Sequence, residues 1–531
     1  MKKYLAPAVA LLAAVISPLP KLAAQSNLSA AVFVDATHIR RTIPPTLYGS
    51  SLEWADNGDR LWRPDLNAPD PSALSNAVAL HPSLIRFPSG EADFYHWANG
   101  VGPVSQRPAA APFPGQDPLP NNFGTAEALS FAGQAGSQML MVANSGTGTP
   151  AEAAAWVQFT NASHPGNVPY WEIGNEVYNL LGYDAYLVTT PPATYAAKFL
   201  QFAQAMRQVD PTIKLAAVGG DQGWLVNYPN WDQTVLTVAG SQMDYLAVHD
   251  AFAPMNVFQP NLDVRTVYSA MLAAPQLIGL DLWFLSNEID MWGGSRAPQI
   301  KIAVTEWAPL FTLNPEPFFL HPKTLGSALY VASTLQQFIQ NSRTDIACLF
   351  SFTNDQALGQ IEKRAGVFIP NPIFYALQMY TQHFGNQLVT TFPLVPTYNS
   401  PAVGFVPAIT GVPYLDVVSS LSPDHKKLYI MAVNKHFDSP ISTVFLLNGF
   451  TPSGSGTAWS LTGTGIDANT GTDWPPGYSG IPATDLLNPQ FFNGSPSQVT
   501  LSPTAISSGL GPIFVYTFPP HSVVSLEIDA Q

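Results

Sequence analysis

Between residues 46 and 384 the chain alternates two hydrophobic patterns. Short, nearly continuous apolar runs occur at 46–49, 84–87, 138–144, 170–173, 214–219, 243–249, 301–306 and 345–353. Each stops at a polar residue, a glycine or a proline. Stretches with apolar residues at helical spacing lie among them, at 151–161, 192–208, 264–273, 324–341 and 373–384. A strand covered on both faces needs the first pattern, and the helices that cover it need the second. Eight such strands with helices between them predict a (β/α)8 TIM barrel. In that fold the C-terminal strand ends share one mouth, so the residue that ends each run carries the functional information.

The texture changes near residue 385. Helical spacing disappears, and β-branched or alternating runs separated by Ser, Thr, Gly and Pro predict an all-β sandwich. An alternating strand at 30–35 precedes the Pro44-Pro45 break with no helix beside it, and is expected to complete that sandwich. The predicted domains are a barrel over 43–384 and a discontinuous sandwich from 25–42 plus 385–531. Residues 99–124, dense in Gly and Pro, and most of 253–299 are expected to be loops at the mouth.

The first residues carry a third pattern. Lys2 and Lys3 precede an apolar run ending at Ile16, Ser17 to Pro20 break it, and Leu22-Ala-Ala24 resembles a small-residue cleavage site. Residues 1–24 are therefore expected to be a signal peptide, and the protein secreted or periplasmic. That run is too short for a membrane span and no later stretch reads as one, so no membrane partner is expected.

Composition narrows the function. A net charge of −14 argues against a nucleic-acid partner. The single cysteine, Cys348, lies in the apolar run 346–350 and reads as a core thiol. The ten histidines form no zinc-like pair, so no metal or other cofactor is expected. Aromatics make up 11% of the chain, suiting a sugar ligand as well as a core.

The chemistry sits at two run ends. Tyr170-Trp-Glu-Ile-Gly-Asn-Glu176 presents Asn175 and Glu176 after the fourth strand, and Ala303-Val-Thr-Glu-Trp307 presents Glu306 after the seventh. Strands four and seven face each other across an eight-stranded mouth. Two carboxyls meeting there are what glycosidic cleavage requires: one protonates the leaving oxygen, the other attacks or activates water. Trp307 is expected to shape the sugar site. Glu172 shares the strand parity of Glu176 and is expected to hydrogen-bond inside the barrel. Glu288 and Glu316 are expected in solvated loops, and Asp221 near the mouth. His249 orients a carboxylate, lines the site, or is a satisfied structural histidine.

In these motifs the chain resembles the clan of glycoside hydrolases with an Asn-Glu acid/base after strand four and a nucleophilic Glu after strand seven. Within it the chain is most similar to the family 51 α-L-arabinofuranosidases, through Leu47-Tyr-Gly-Ser-Ser-Leu-Glu53, Arg86-Phe-Pro-Ser-Gly-Glu91, the strand-three loop from Asn144, Trp171-Glu-Ile-Gly-Asn-Glu176 and Ala303-Val-Thr-Glu-Trp307. The resemblance implies retention through a covalent glycosyl-enzyme, with Glu306 the nucleophile, Glu176 the acid then base, and Asn175 holding the sugar 2-OH. It implies that Glu53, Arg86, Glu91, Asn144, Asn175, His249 and Trp307 bind a carbohydrate substrate. Two positions depart from the family pattern: Ser89 stands where it has Gly, and Glu91 where it has Asn. Tyrosines expected after His249 are replaced by Asp250-Ala251-Phe252. β-Glucuronides, β-xylosides and β-glucans therefore stand as alternative substrates, and a non-catalytic carbohydrate-binding protein as the alternative of another class.

Overall fold

The computed structural model describes residues 28–164, 166–178, 190–220, 228–249, 251–253, 263–309, 321–353, 358–364, 366–471 and 497–531. The signal-peptide stretch, Asp221, Asp250 and Glu316 lie outside them. The eight barrel strands, in chain order, are Gly49–Ser51, Leu84–Phe87, Gln138–Ala143, Tyr170–Ile173, Lys214–Val218, Tyr245–Val248, Lys301–Trp307 and Thr344–Leu349. Each pairs in parallel with its sequence neighbours, and the last pairs with the first to close the barrel. The first strand differs from expectation. Pro45–Tyr48 is one 3-10 turn, begun by Pro45 and closed by Leu47 N–H to the Pro44 carbonyl, and the strand follows it.

Side-chain parity divides the barrel strands. Leu84, Leu140, Val142, Ala303, Ile346 and Cys348 fill the barrel interior. Their neighbours Ile85, Met141, Val304 and Ala347 pack outward under the helices. Both faces are apolar, so these strands read as continuous hydrophobic runs. Cys348 is buried, and burial raises its thiol pKa to about 12, which leaves it inert.

The outer helices include Pro71–Leu80, Thr125–Ala135 and Trp231–Ala239, short Ala-rich or loop-flanked segments with weak periodicity. The expected loop over 253–299 is largely helical: Val264–Met271 leads into Ala274–Trp292. That stretch is apolar enough to cross a membrane by length and composition alone, but half of its most apolar window is buried inside the fold. Its apolarity on several sides hid the helical period. Glu288 sits half-buried on this helix rather than in a solvated loop, and burial raises its pKa.

The β-rich part is one nine-stranded sheet in which Leu28–Thr42 lies between Gln387–Leu394, antiparallel, and Ile441–Asn448, parallel. The sheet closes over its own core, where Val32, Phe445 and Phe514 meet Ile430, Val524 and Leu526. Alternate residues Val418, Met431, Val433 and Val523 join the barrel's core instead. His383, at the end of helix Pro372–Gln382, bonds Glu527 of this sheet at 2.7 Å. The sheet is thus anchored on the barrel's helical side.

Candidate active site

Arg86, on the second strand, is fully buried at the centre of the mouth. Its Nε donates to Glu172 at 2.7 Å, one terminal nitrogen donates to Glu306 Oε1 at 2.5 Å, and the other donates to Asn175 Oδ1 at 2.8 Å. Glu172 also accepts from Thr305 Oγ1 at 3.1 Å. A buried guanidinium is tolerable only when its fork is satisfied by charge-assisted bonds. Burial opposes the Arg86 charge, yet Glu172 and Glu306 outweigh it and hold the pKa above its ordinary value. All three Arg86 nitrogens are thus engaged, and the side chain, expected to bind substrate, positions two carboxylates and an amide.

Glu306 reaches this network through a bulge. Strand seven pairs Val304 with Ala347 and Trp307 with Leu349, so it spends one residue more than strand eight over the same interval. Without it, parity would turn Glu306 outward once Thr305 faces in; with it, both face the interior. Trp307 then points outward, only 1% exposed, edge-on to Phe338 of helix Leu325–Gln340 at 5.1 Å. The expected sugar-shaping aromatic is a packing residue of the helical layer.

At strand four the chain turns at Gly174, φ +85°, where a Cβ would lie 2.3 Å from Ser145 Oγ. Only glycine fits there. Glu176 itself holds φ +45°, a strained conformation for a side-chain residue. His249, ending strand six, places Nδ1 2.7 Å from Glu176 Oε1 and 3.7 Å from Glu306 Oε2. Burial disfavours the His249 charge, but Glu306 and the bond to Glu176 override it and raise the pKa. One atom each of Glu176, His249 and Glu306 lie within 4.8 Å of one another. By donor type the trio could hold a cation, but the Arg86 guanidinium already supplies that positive charge to Glu306.

The other expected contacts divide. Glu53 lines the mouth half-buried, and burial, with Glu306 beside it, raises its pKa to about 7. Glu91 is buried, and its Oε2 accepts the backbone N–H of Trp54 and Ala55 at 3.2 and 3.1 Å. It braces the turn after Glu53, a tie between main chain and side chain rather than the sugar contact its motif position suggested. Asn144 bonds within its own loop: Oδ1 accepts from Thr147 and Gly148 N–H, and Nδ2 donates to Thr147 Oγ1. It shapes the strand-three loop.

Sequence reasoning gave no role to Asp93. Fully buried, it accepts from Ser145 N–H and Gly146 N–H at 2.8 Å and from Asn175 N–H at 2.9 Å. It joins the ends of strands two, three and four. Asp93 stands in no recognisable pattern, because its partners are main-chain groups far apart in sequence.

Residues 76–162 match the family described as the alpha-L-arabinofuranosidase 1 domain. The chain is 26% identical over 467 residues to "Intracellular exo-alpha-(1->5)-L-arabinofuranosidase 1" of Bacillus subtilis, covering 79% of this chain and 87% of that one. It is 27% identical to "Alpha-L-arabinofuranosidase C" of Emericella nidulans, over 72% of this chain and 77% of that one. The fold matches the family 51 α-L-arabinofuranosidase of Thermotoga petrophila with TM-score 0.78 at 24% identity, over 94% of this chain and all of the other. By its barrel, its β-sheet part, its paired carboxylates and these likenesses, the chain is a (β/α)8 glycoside hydrolase similar to the family 51 α-L-arabinofuranosidases.

Proposed function

We propose that the protein is a retaining α-L-arabinofuranosidase. One observation carries the mechanism: Glu176 and Glu306, on facing strand ends, each bring an oxygen within 4.8 Å of the other. Retaining enzymes hold their carboxyls about 5–5.5 Å apart, whereas inverting ones leave about 6.5–9.5 Å for a water. Oε1 of Glu306 is held by Arg86, which leaves Oε2 to attack the anomeric carbon. As that bond forms, the glycosidic bond breaks and Glu176 gives its proton to the leaving oxygen. His249 shares a proton with Glu176 Oε1 and orients it. Asn175 Oδ1 is fixed by Arg86, and its amide Nδ2, which donates to the Gly90 carbonyl at 3.5 Å, keeps a second N–H for the sugar 2-OH.

The substrate follows from charge as well as likeness. Glu53, Glu176 and Glu306 face the mouth, and Arg86 is already paired with Glu172 and Glu306. A glucuronide carboxylate would meet the Glu306 charge with that cation already neutralised, so neutral sugars are favoured. The names of the Bacillus and Emericella relatives then point to arabinofuranosides. We also propose export, which rests on the residue 1–24 pattern; the Bacillus relative is named intracellular.

The test is a panel of aryl α-L-arabinofuranoside, β-D-xyloside, β-D-glucuronide and β-D-glucoside. Arabinofuranoside turnover abolished by Glu306→Ala is expected. Hydrolysis unchanged in that variant removes the nucleophile assignment, and no hydrolysis of any glycoside by the wild type points to a binding protein. Cell fractionation decides export.

A further inference from the structure

Ser89 is the one residue of the strand-two corner whose backbone and side chain disagree. It holds φ +65°, a conformation that glycine adopts freely and a side chain disfavours. It is also fully buried. A glycine would meet the backbone requirement without strain, so the side chain must contribute something else. Its hydroxyl accepts from an Arg86 terminal nitrogen at 3.1 Å and donates to Glu306 Oε1 at 3.3 Å. Arg86 is thereby linked to Glu306 twice, once directly and once through this hydroxyl.

We propose that Ser89 is a positioning residue that tunes Glu306 as a leaving group, through a hydroxyl bond to the carboxylate oxygen that does not attack. The inference rests on Glu306 being the nucleophile. In the second half-reaction water attacks the anomeric carbon and the bond from that carbon to Glu306 Oε2 breaks. Its electron pair returns to the carboxylate, and the water proton passes to Glu176. Charge then spreads over both Glu306 oxygens. A donor already aimed at Oε1 stabilises that charge as it appears, with no rearrangement. The charged groups facing Glu306 are Arg86 from strand two, Glu176 from strand four, His249 from strand six and Glu53 beyond strand one, with Glu172 behind Arg86.

The experiment compares Ser89→Gly and Ser89→Ala with the wild type on an activated aryl arabinofuranoside, where breakdown of the glycosyl-enzyme limits turnover. Ser89→Gly removes both the strain and the hydroxyl, and is expected to melt at least as high as the wild type. Both variants are expected to lose about 3- to 10-fold in kcat, as for loss of one hydrogen bond of typical net strength. KM should fall with kcat, because the covalent intermediate accumulates. A wild-type kcat and KM in both variants overturn the proposal and leave Ser89 a filler of space. Glu306→Gly with added azide checks the premise separately. Restored turnover to a glycosyl azide of inverted configuration supports the nucleophile, and its absence overturns that reading whatever Ser89 does.

Discussion

The ends of strands four and seven and the corner after strand two are both polar clusters at the barrel mouth, yet they are built on different logic. At the first, each functional side chain stands at the end of its own apolar run. Glu176 and Glu306 project from the strands toward a shared space. At the corner after strand two, Arg86, Ser89, Glu91 and Asp93 bond to main-chain groups and side chains on strands one, three, four and seven. The first region does the chemistry; the second holds it to register. The two must therefore fail differently when mutated, chemistry alone at the tips and chemistry with stability at Arg86 and Asp93 of the corner.

The largest effect belongs to the tips. Glu306→Ala should lower kcat by about 10⁴-fold or more without lowering the melting temperature, as loss of a nucleophile does elsewhere. Glu176→Ala should cost about 10²–10⁴-fold on substrates with poor leaving groups and far less on nitrophenyl glycosides, which need no protonation. A matching loss on both substrate kinds breaks the assignment of Glu176 as the acid.

Next is Arg86→Met. Removing one partner of a buried ion network leaves Glu172 and Glu306 uncompensated, which costs about 3–5 kcal/mol of stability. Chemical denaturation should show that loss together with a fall in kcat. A variant inactive but as stable as the wild type would mean that Arg86 serves substrate rather than structure.

Asp93→Ala should follow, at about 1–3 kcal/mol, because three backbone N–H groups lose a buried acceptor. Its kinetic signature should be a rise in KM, as the Asn175 turn loosens. Unchanged stability would contradict its role as the tie between three strand ends.

The smallest effect is a pH dependence. Burial raises Glu53 from its ordinary value near 4.5 to about 7, and burial with Glu53 alongside raises Glu91 well above its own. The folded state keeps protons that the unfolded chain has released, so these groups lose stability as pH climbs from about 4.5 to 7. Asp232, raised by burial to about 7, adds to the same slope. The melting temperature should be highest at mildly acidic pH and fall toward neutrality. Glu91→Gln, whose amide oxygen can still accept from Trp54 and Ala55, should flatten that fall. A wild-type slope in the variant would remove Glu91 from the account.

The same contrast explains what the sequence made legible. Strand runs are local patterns, and eight of them with polar ends implied both the barrel and the Glu176–Glu306 pair. The strand at 30–35 was placed in the β-rich part by the absence of a helix beside it. Trp307 was misread because a bulge in strand seven shifts parity by one, and no residue type marks it. Arg86 and Glu91 bond across the mouth to groups that motif position does not reveal, so their hold on Glu306 and on the turn after Glu53 was not read. Helix Ala274–Trp292 was missed because its polar face is too narrow to show a period. Strand runs and the residues that end them could be read locally, whereas the bonds of Arg86 and Glu91 to partners 36 to 220 residues away could not.

The central claim is double displacement through Glu306. Proton NMR of the first sugar released from an aryl α-L-arabinofuranoside, recorded before mutarotation, tests it most directly. The account predicts α-L-arabinofuranose, with configuration retained. First-formed β-L-arabinofuranose would mean that a water, not Glu306, attacks the anomeric carbon, and would contradict it.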